Sequence, residues 1–317
     1  LLWCSTKPRQ LCVLRQIFEI MKKSYILILF LLFSLRSVAQ IETMYSMYRI
    51  NPIISSPAYA GTMEEGHRGE IVMMDRQQWL GIQGAPRTLA LTANFQYKPK
   101  IGGGFLLLAD QAGPLRVSTM AGDLAYHVQF NPEWSMAGGI RLGVSSVYLD
   151  YEGIQVVDPN DPILATNKGS GLKGNTGWGV RFNHKGGFFA SLSMPRVLSY
   201  DFGGFSGAYK DVTYLYINAG TTLRVNEQLS FSPSFMARAA QDVPLSWDVN
   251  VMARIGKAFD AGVAYRHKDS YGLRFGMQAN PKIYLGYIYE MPISGLSKVS
   301  NQTHEIALRL SILNRPK

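Results

Sequence analysis

The sequence predicts an all-β protein, a transmembrane outer-membrane β-barrel of about fourteen antiparallel strands. Three observations carry this. From Arg68 onward apolar and polar residues alternate with a period of two. Most of the alternating runs reach the roughly 9 to 11 residues that a tilted strand needs to cross a bilayer. Ahead of them, Met21-Lys22-Lys23 introduces an apolar run from Tyr25 to Phe33 that ends in the small residues Ser37-Val38-Ala39, the pattern of an export signal.

In chain order, residues 1–20 read as an upstream leader outside the native protein and 21–39 as a signal peptide. Its apolar run is too short to span a bilayer as a helix, and cleavage after Ala39 leaves Gln40 first. Cys4 and Cys12 both fall in the leader, so the mature chain has no thiol for a disulfide, a metal or catalysis. The full chain carries a formal charge of +10; losing the six basic and one acidic residues of 1–39 leaves +5. The remaining Lys and Arg are scattered rather than striped, which argues against a nucleic-acid partner. Abundant Gly, Tyr and Phe, modest charge and no Pro/Ser-rich linker favour one large β-domain.

Residues 40–65 read as an irregular periplasmic N-terminal segment, since they fit no wall strand. Tyr45, Tyr48, Asn51, Pro52, Pro57 and Tyr59 make it a candidate partner-docking contact, and a plug or lid on the barrel mouth is the equal alternative. The barrel is assigned to 66–313, and 314–317 form a tail. Strands are expected near 67–78, 86–97, 101–110, 116–129, 133–147, 175–184 and 187–195, then near 211–224, 228–239, 245–256, 259–267, 271–279, 281–290 and 303–313. In the second, Leu89, Leu91, Ala93, Phe95 and Tyr97 oppose Ala90, Thr92, Asn94 and Gln96; in the last, Ile306, Leu308, Leu310 and Ile312 oppose Glu305, Ala307, Arg309 and Ser311.

A soluble sandwich alternates as well, so the connections matter. Tight turns are expected at Lys98-Pro99-Lys100, Asn131-Pro132, Lys185-Gly186, Asn226-Glu227, Gly256-Lys257 and Asn280-Pro281. Longer connections are expected at 79–85, 111–115, 148–174, 196–210, 240–244, 268–270 and 291–302. Short turns at one rim and long loops at the other describe a bacterial outer-membrane barrel with periplasmic termini. Trp79, Tyr97, Trp134, Trp178, Tyr265, Tyr284 and Tyr289 stand near strand ends, where interfacial girdles form.

On the polar face, Arg141, Arg181, Arg238, Arg254, Arg266, Arg274 and Arg309 share lumen-facing parity, with Asp123, Asp248, Asp260 and Glu305 as partners. They make either an ion-selective pore or a lumen braced by cross-strand charge pairs. The five histidines show no metal-ligand spacing, and none adjoins a serine and carboxylate in a hydrolase pattern. Gly169-Ser170-Gly171-Leu172-Lys173-Gly174 fails as a phosphate loop because its Lys precedes the final Gly. Asp158-Pro159-Asn160-Asp161-Pro162 reads as two turns rather than a calcium loop. No catalytic residue, metal site or cofactor is assigned.

An ordered set of short motifs then enters: Tyr48-Arg49-Ile50-Asn51-Pro52, Ser56-Pro57-Ala58-Tyr59-Ala60-Gly61, Arg76-Gln77-Gln78-Trp79-Leu80-Gly81-Ile82 and Gly84-Ala85-Pro86-Arg87-Thr88. Asp110 to Gly113-Pro114 and the Asp158/Asp161 turn extend it. Together they resemble the PorP/SprF membrane proteins of the type IX secretion system, across essentially the whole mature chain. The leader and an end, Leu313-Asn314-Arg315-Pro316-Lys317, without a terminal aromatic are the departures. The resemblance implies secretion or retention of surface proteins, including the adhesins of gliding Bacteroidetes. Implied partners are C-terminal sorting domains of cargo, the periplasmic ring and motor, a peptidoglycan-linked adaptor and outer-membrane lipid; no catalytic residue carries over. About fourteen strands enclose at most a narrow lumen, so the expectation is a docking or anchoring subunit. A passive porin or small-solute transporter is the alternative, and a membrane-embedded lipid hydrolase the second alternative.

Overall fold

The computed structural model describes residues 45–46, 48–63, 66–150, 168–200, 212–293 and 302–313. The expected leader and signal peptide, and the Asp158–Pro162 turns, lie outside the described residues. The strands are β1 (His67–Gln77), β2 (Arg87–Lys98), β3 (Ile101–Ala112), β4 (Leu115–Gln129), β5 (Trp134–Leu149), β6 (Lys168–Gly169), β7 (Lys173–His184) and β8 (Phe189–Met194). They continue as β9 (Leu215–Gly220), β10 (Leu223–Arg224), β11 (Leu229–Ala240), β12 (Val243–Ile255), β13 (Phe259–Arg266), β14 (Ser270–Asn280), β15 (Ile283–Pro292) and β16 (Thr303–Leu313).

All sixteen belong to one antiparallel sheet that closes on itself, β1 pairing with β16 and β9 with β11. The two-residue β6 and β10 only extend their neighbours, which leaves fourteen strands in the wall. Closure leaves no unpaired edge, the condition for a sheet to sit in hydrocarbon. Alternation sorts the side chains as the sequence predicts: Leu89, Phe95, Val249, Leu273, Phe275, Ile306 and Ile312 point outward and are exposed, while Thr92, Asn94, Asn250, Glu305 and Arg309 are buried inside.

Three connections differ from expectation. The links expected to be longer at 111–115, 240–244 and 268–270 are tight: Gly113-Pro114, Gln241-Asp242 and His267 to Asp269. Each turns on a residue with positive φ, Gly113 at 56°, Asp242 at 61° and Lys268 at 58°, the geometry that tight hairpins require. Pairing there continues into residues such as Gln111, Ala112 and Val243, whose polarity or turn-side position suggested loop. One end of the barrel therefore carries short turns only. At the other end tight and long links mix, so loop length separates the rims less cleanly than expected.

β8 is also shorter than expected, and the expected strand 211–224 breaks after Gly220. The break at Thr221-Thr222 lies opposite Ser232-Pro233 of β11, and the Thr221 N–H donates to the Pro233 carbonyl at 3.1 Å. Pro233 has no N–H to return, so the ladder lapses there. Tyr284, placed among the girdle aromatics on sequence, faces the lumen instead, where its hydroxyl donates to Asp260 at 3.0 Å. Parity decides this, because Tyr284 shares a face with Ile288 and Glu290.

Candidate functional site

The lumen is filled by the chain's own N-terminal segment. Two 3₁₀ turns shape it, Pro52–Ile54 and Pro57–Tyr59, each with proline at its first position, where a missing N–H costs nothing. The Ser56 hydroxyl accepts from the Ala58 N–H, and Ala60 N–H and Thr62 N–H donate back to the Pro57 and Tyr59 carbonyls at 3.0 and 2.9 Å. A coil that satisfies part of its own backbone can enter a closed barrel, because less is left for the wall to complete.

The wall completes the rest. Thr92 Oγ1 donates to Asn51 Oδ1 at 2.9 Å, Ser193 Oγ to the Ser55 carbonyl at 2.8 Å, Asn94 Nδ2 to the Thr62 carbonyl at 2.9 Å, and His127 Nε2–H to the Ala60 carbonyl at 2.8 Å. The Gly61 N–H donates to Asn94 Oδ1 at 2.7 Å. The wall also makes room. A Cβ on Gly102 would lie 2.1 Å from the Ala60 oxygen, one on Gly139 2.5 Å from the Pro57 carbonyl, and one on Gly179 2.3 Å from Ser56 Oγ. Strands β3, β5 and β7 are thus cleared of side chains where the segment passes.

The segment has a direction. Ser46 sits near the loop-bearing end, where its N–H donates to Glu305 Oε2 at 3.1 Å and its hydroxyl meets Glu290, Arg266 and Arg76. Gly61 and Thr62 leave at the short-turn end, beside Gly102, His127 and Arg181. Around Ser46, Arg76 pairs with Glu290 at 2.7 Å and Glu305 at 2.9 Å, and Arg266 with Glu290 at 3.4 Å, all four side chains buried. Arg266 also pairs with the half-buried Asp269 at 3.2 Å, so both buried cations meet two carboxylates each, which is what keeps such burial tolerable.

The other charges named on sequence fall as follows. Arg141 makes a bidentate pair with Asp123, both bonds 2.7 Å, and donates to the carbonyls of Ile53 and Ile54. Arg254 pairs with Asp260 at 2.8 Å. Asp248 accepts from the Tyr48 hydroxyl at 2.9 Å rather than from an arginine. Arg181 donates to Thr62 Oγ1 at 3.1 Å and lies over the Tyr59 ring, Arg274 lies over Tyr48, Arg309 over Tyr284 and Arg238 over Tyr214. The lumen arginines therefore hold the segment and the wall together as much as they pair across strands.

The segment's own candidates face inward. Tyr48, Asn51, Pro57 and Tyr59 are buried, and Tyr45 and Pro52 half-buried. Those four side chains turn to the wall, and Ser46 lies at the loop-bearing end. The physical reason is satisfaction: the wall supplies partners for their polar groups and space for their bulk. Sequence reasoning missed Arg76, Glu290 and Ser46. Arg76 shares its strand face with Val72 and Met74, and Glu290 with Tyr284 and Ile288, so strict parity marks both as lumen residues.

The chain is similar to solved outer-membrane barrels. It matches the Acinetobacter baumannii outer membrane protein Omp33 at 8% identity and TM-score 0.44, over 78% of this chain and 98% of that one. The CymD monoaromatic hydrocarbon channel matches at 11% and 0.49, over 88% and 95%. The Ralstonia pickettii toluene transporter TbuX matches at 12% and 0.48, over 83% and 93%. No curated protein matches the chain at a significant level. The model of the PorP/SprF family, described as type IX secretion system membrane proteins, matches residues 37–310. With that match over most of its length, and a closed barrel built to sit in the outer membrane, the chain belongs to the PorP/SprF family of type IX secretion system membrane proteins.

Proposed function

We propose that this barrel is a sealed, membrane-anchored docking subunit of the type IX machine, holding surface-destined, adhesin-type cargo and linking it to the periplasmic ring and motor. The occupied lumen carries the reading. A wall of fourteen strands already leaves little width, and residues 48–62 fill it with bonds to β2, β4, β5 and β8. A folded adhesin has no path through. The protein then acts by what it holds at its rims and outer surface, and no chemical step is assigned to it.

The test is affinity purification of the barrel from outer membranes with mass spectrometry of what accompanies it, beside the surface proteome of a deletion strain. Type IX components in the eluate and depletion of surface proteins are expected. An unchanged surface proteome with no secretion component recovered would overturn the reading and leave the fold untouched.

A further inference from the structure

The outward face of the wall changes character around the barrel. Near the loop-bearing edge of β12 to β16 it is aromatic: Trp247 stacks on His267 at 4.8 Å, Tyr265 meets Trp247 at 5.9 Å and Tyr271 at 5.2 Å, and Tyr289 meets His304 at 5.4 Å. Such rings form the belt at a membrane interface. At β1 the belt stops. Register aligns His304 with Gln77, Gln77 with Arg87, Arg87 with Gln111 and Gln111 with Arg116, so four long polar side chains, two of them cationic, continue the same row. Arg87 spends Nε and Nη2 on Asp75 at 3.1 and 2.8 Å, and Arg116 meets Asp150 through Nη2 at 2.6 Å. In both pairs the carboxylate is the more buried partner, so the guanidinium is what faces outward.

Toward the membrane centre from this row, the same sector holds a groove of about 780 Å³. Its upper row is Leu89, Ala109, Ser118 and Ser146, aligned by register, where three small side chains hollow the surface and present two hydroxyls. The row beneath is Leu91, Leu107, Met120 and Val144, apolar throughout. Outward residues follow one another about 7 Å apart along a strand. Cation, hydroxyl and hydrocarbon thus succeed one another over about 14 Å, the order of phosphate, ester or amide linkage and acyl chain in a membrane lipid.

We infer that this sector binds one phosphorylated lipid of the outer leaflet, of the lipid A class, with its phosphate on Arg87 or Arg116 and an acyl chain in the groove. The loop-bearing end faces that leaflet. Exposed guanidinium N–H groups are strong donors to phosphate. The two arginines stand two strand spacings apart, about 10 Å, a span that a phosphorylated disaccharide bridges more fully than a single glycerol phosphate. The site lies on the outside of the wall and does not depend on the docking function proposed above.

The test is native mass spectrometry of the full chain released from detergent micelles, with added diphosphoryl lipid A, its dephosphorylated form or phosphatidylglycerol. Saturable one-to-one retention of diphosphoryl lipid A is expected, with the other two held on the order of tenfold less. Asp75→Asn/Arg87→Gln/Arg116→Gln removes the cations, and Ala109→Phe/Ser118→Phe fills the groove without touching them. Each should cut retention on the order of tenfold, whereas Tyr271→Ser in the aromatic sector should leave it unchanged. Heat-modifiable gel mobility shows that each variant is folded, so a lost adduct reports on the site. Retention indifferent to both the charge and the groove variants overturns the inference, as does equal retention of the dephosphorylated lipid. Retention of phosphatidylglycerol at or above that of lipid A overturns it as well, by making a glycerophospholipid the occupant.

Discussion

At Gly139, a side chain would meet the Pro57 carbonyl at 2.5 Å, so one hydrogen atom in β5 decides whether the plug can sit. Gly139→Val is expected to unseat the segment while the wall still closes. The check is maleimide labelling of Ser56→Cys in the processed chain, unreactive with Gly139 in place and reactive with valine. Failure to label would mean that the wall, rather than the plug, yields. Glu290 sits between Arg76 and Arg266, all three side chains buried. Glu290→Gln leaves buried cations short of an anion and should cost about 3–5 kcal/mol, read as a shift in the urea unfolding midpoint of the micellar protein. At this scale the sequence was legible through parity alone: it marked Arg141 and Asp123 as lumen partners, but it placed Tyr284 in a girdle and passed over Glu290. Which lumen charges meet depends on register, and register is a property of two strands.

Among the elements, the wall strands followed from period two, because the bilayer demands apolar outward faces and the closed sheet pairs every backbone group. Their ends were less legible. Gln241-Asp242 and Gly113-Pro114 turn within two residues, a matter of local φ that a polar composition does not distinguish from a longer loop. The segment 40–65 was visible as an irregular piece containing Pro52 and Pro57, yet its place was not, since an irregular chain is equally a docking contact or a plug until its partners are known. Deleting residues 45–62 is expected to turn a silent barrel into a conducting one. Planar bilayer recordings check this: stable openings from the deletion variant and none from the full chain. Openings from the full chain at the same level would show that the plug does not seal.

For the whole molecule, a sealed barrel that docks cargo should work without opening. Locking the plug with a disulfide between Asn51→Cys and Thr92→Cys, positions whose side chains meet at 2.9 Å, is expected to leave surface display at the wild-type level. Display that falls to the deletion-strain level, and returns on reduction, would show that the plug must move. The family assignment and the barrel agree on location in the outer membrane, and the lumen architecture adds the limit on what passes.

The sequence by itself determined the closed sheet of fourteen wall strands, its inner and outer faces and its family, because alternation, strand length and an ordered set of motifs are local properties. Tertiary structure decided that residues 48–62 fill the lumen, that Ser46 anchors them at the loop-bearing end among Arg76, Arg266, Glu290 and Glu305, and that Gly102, Gly139 and Gly179 clear their path. Those contacts join residues up to 259 positions apart, and only closure of the barrel brings them within hydrogen-bonding distance.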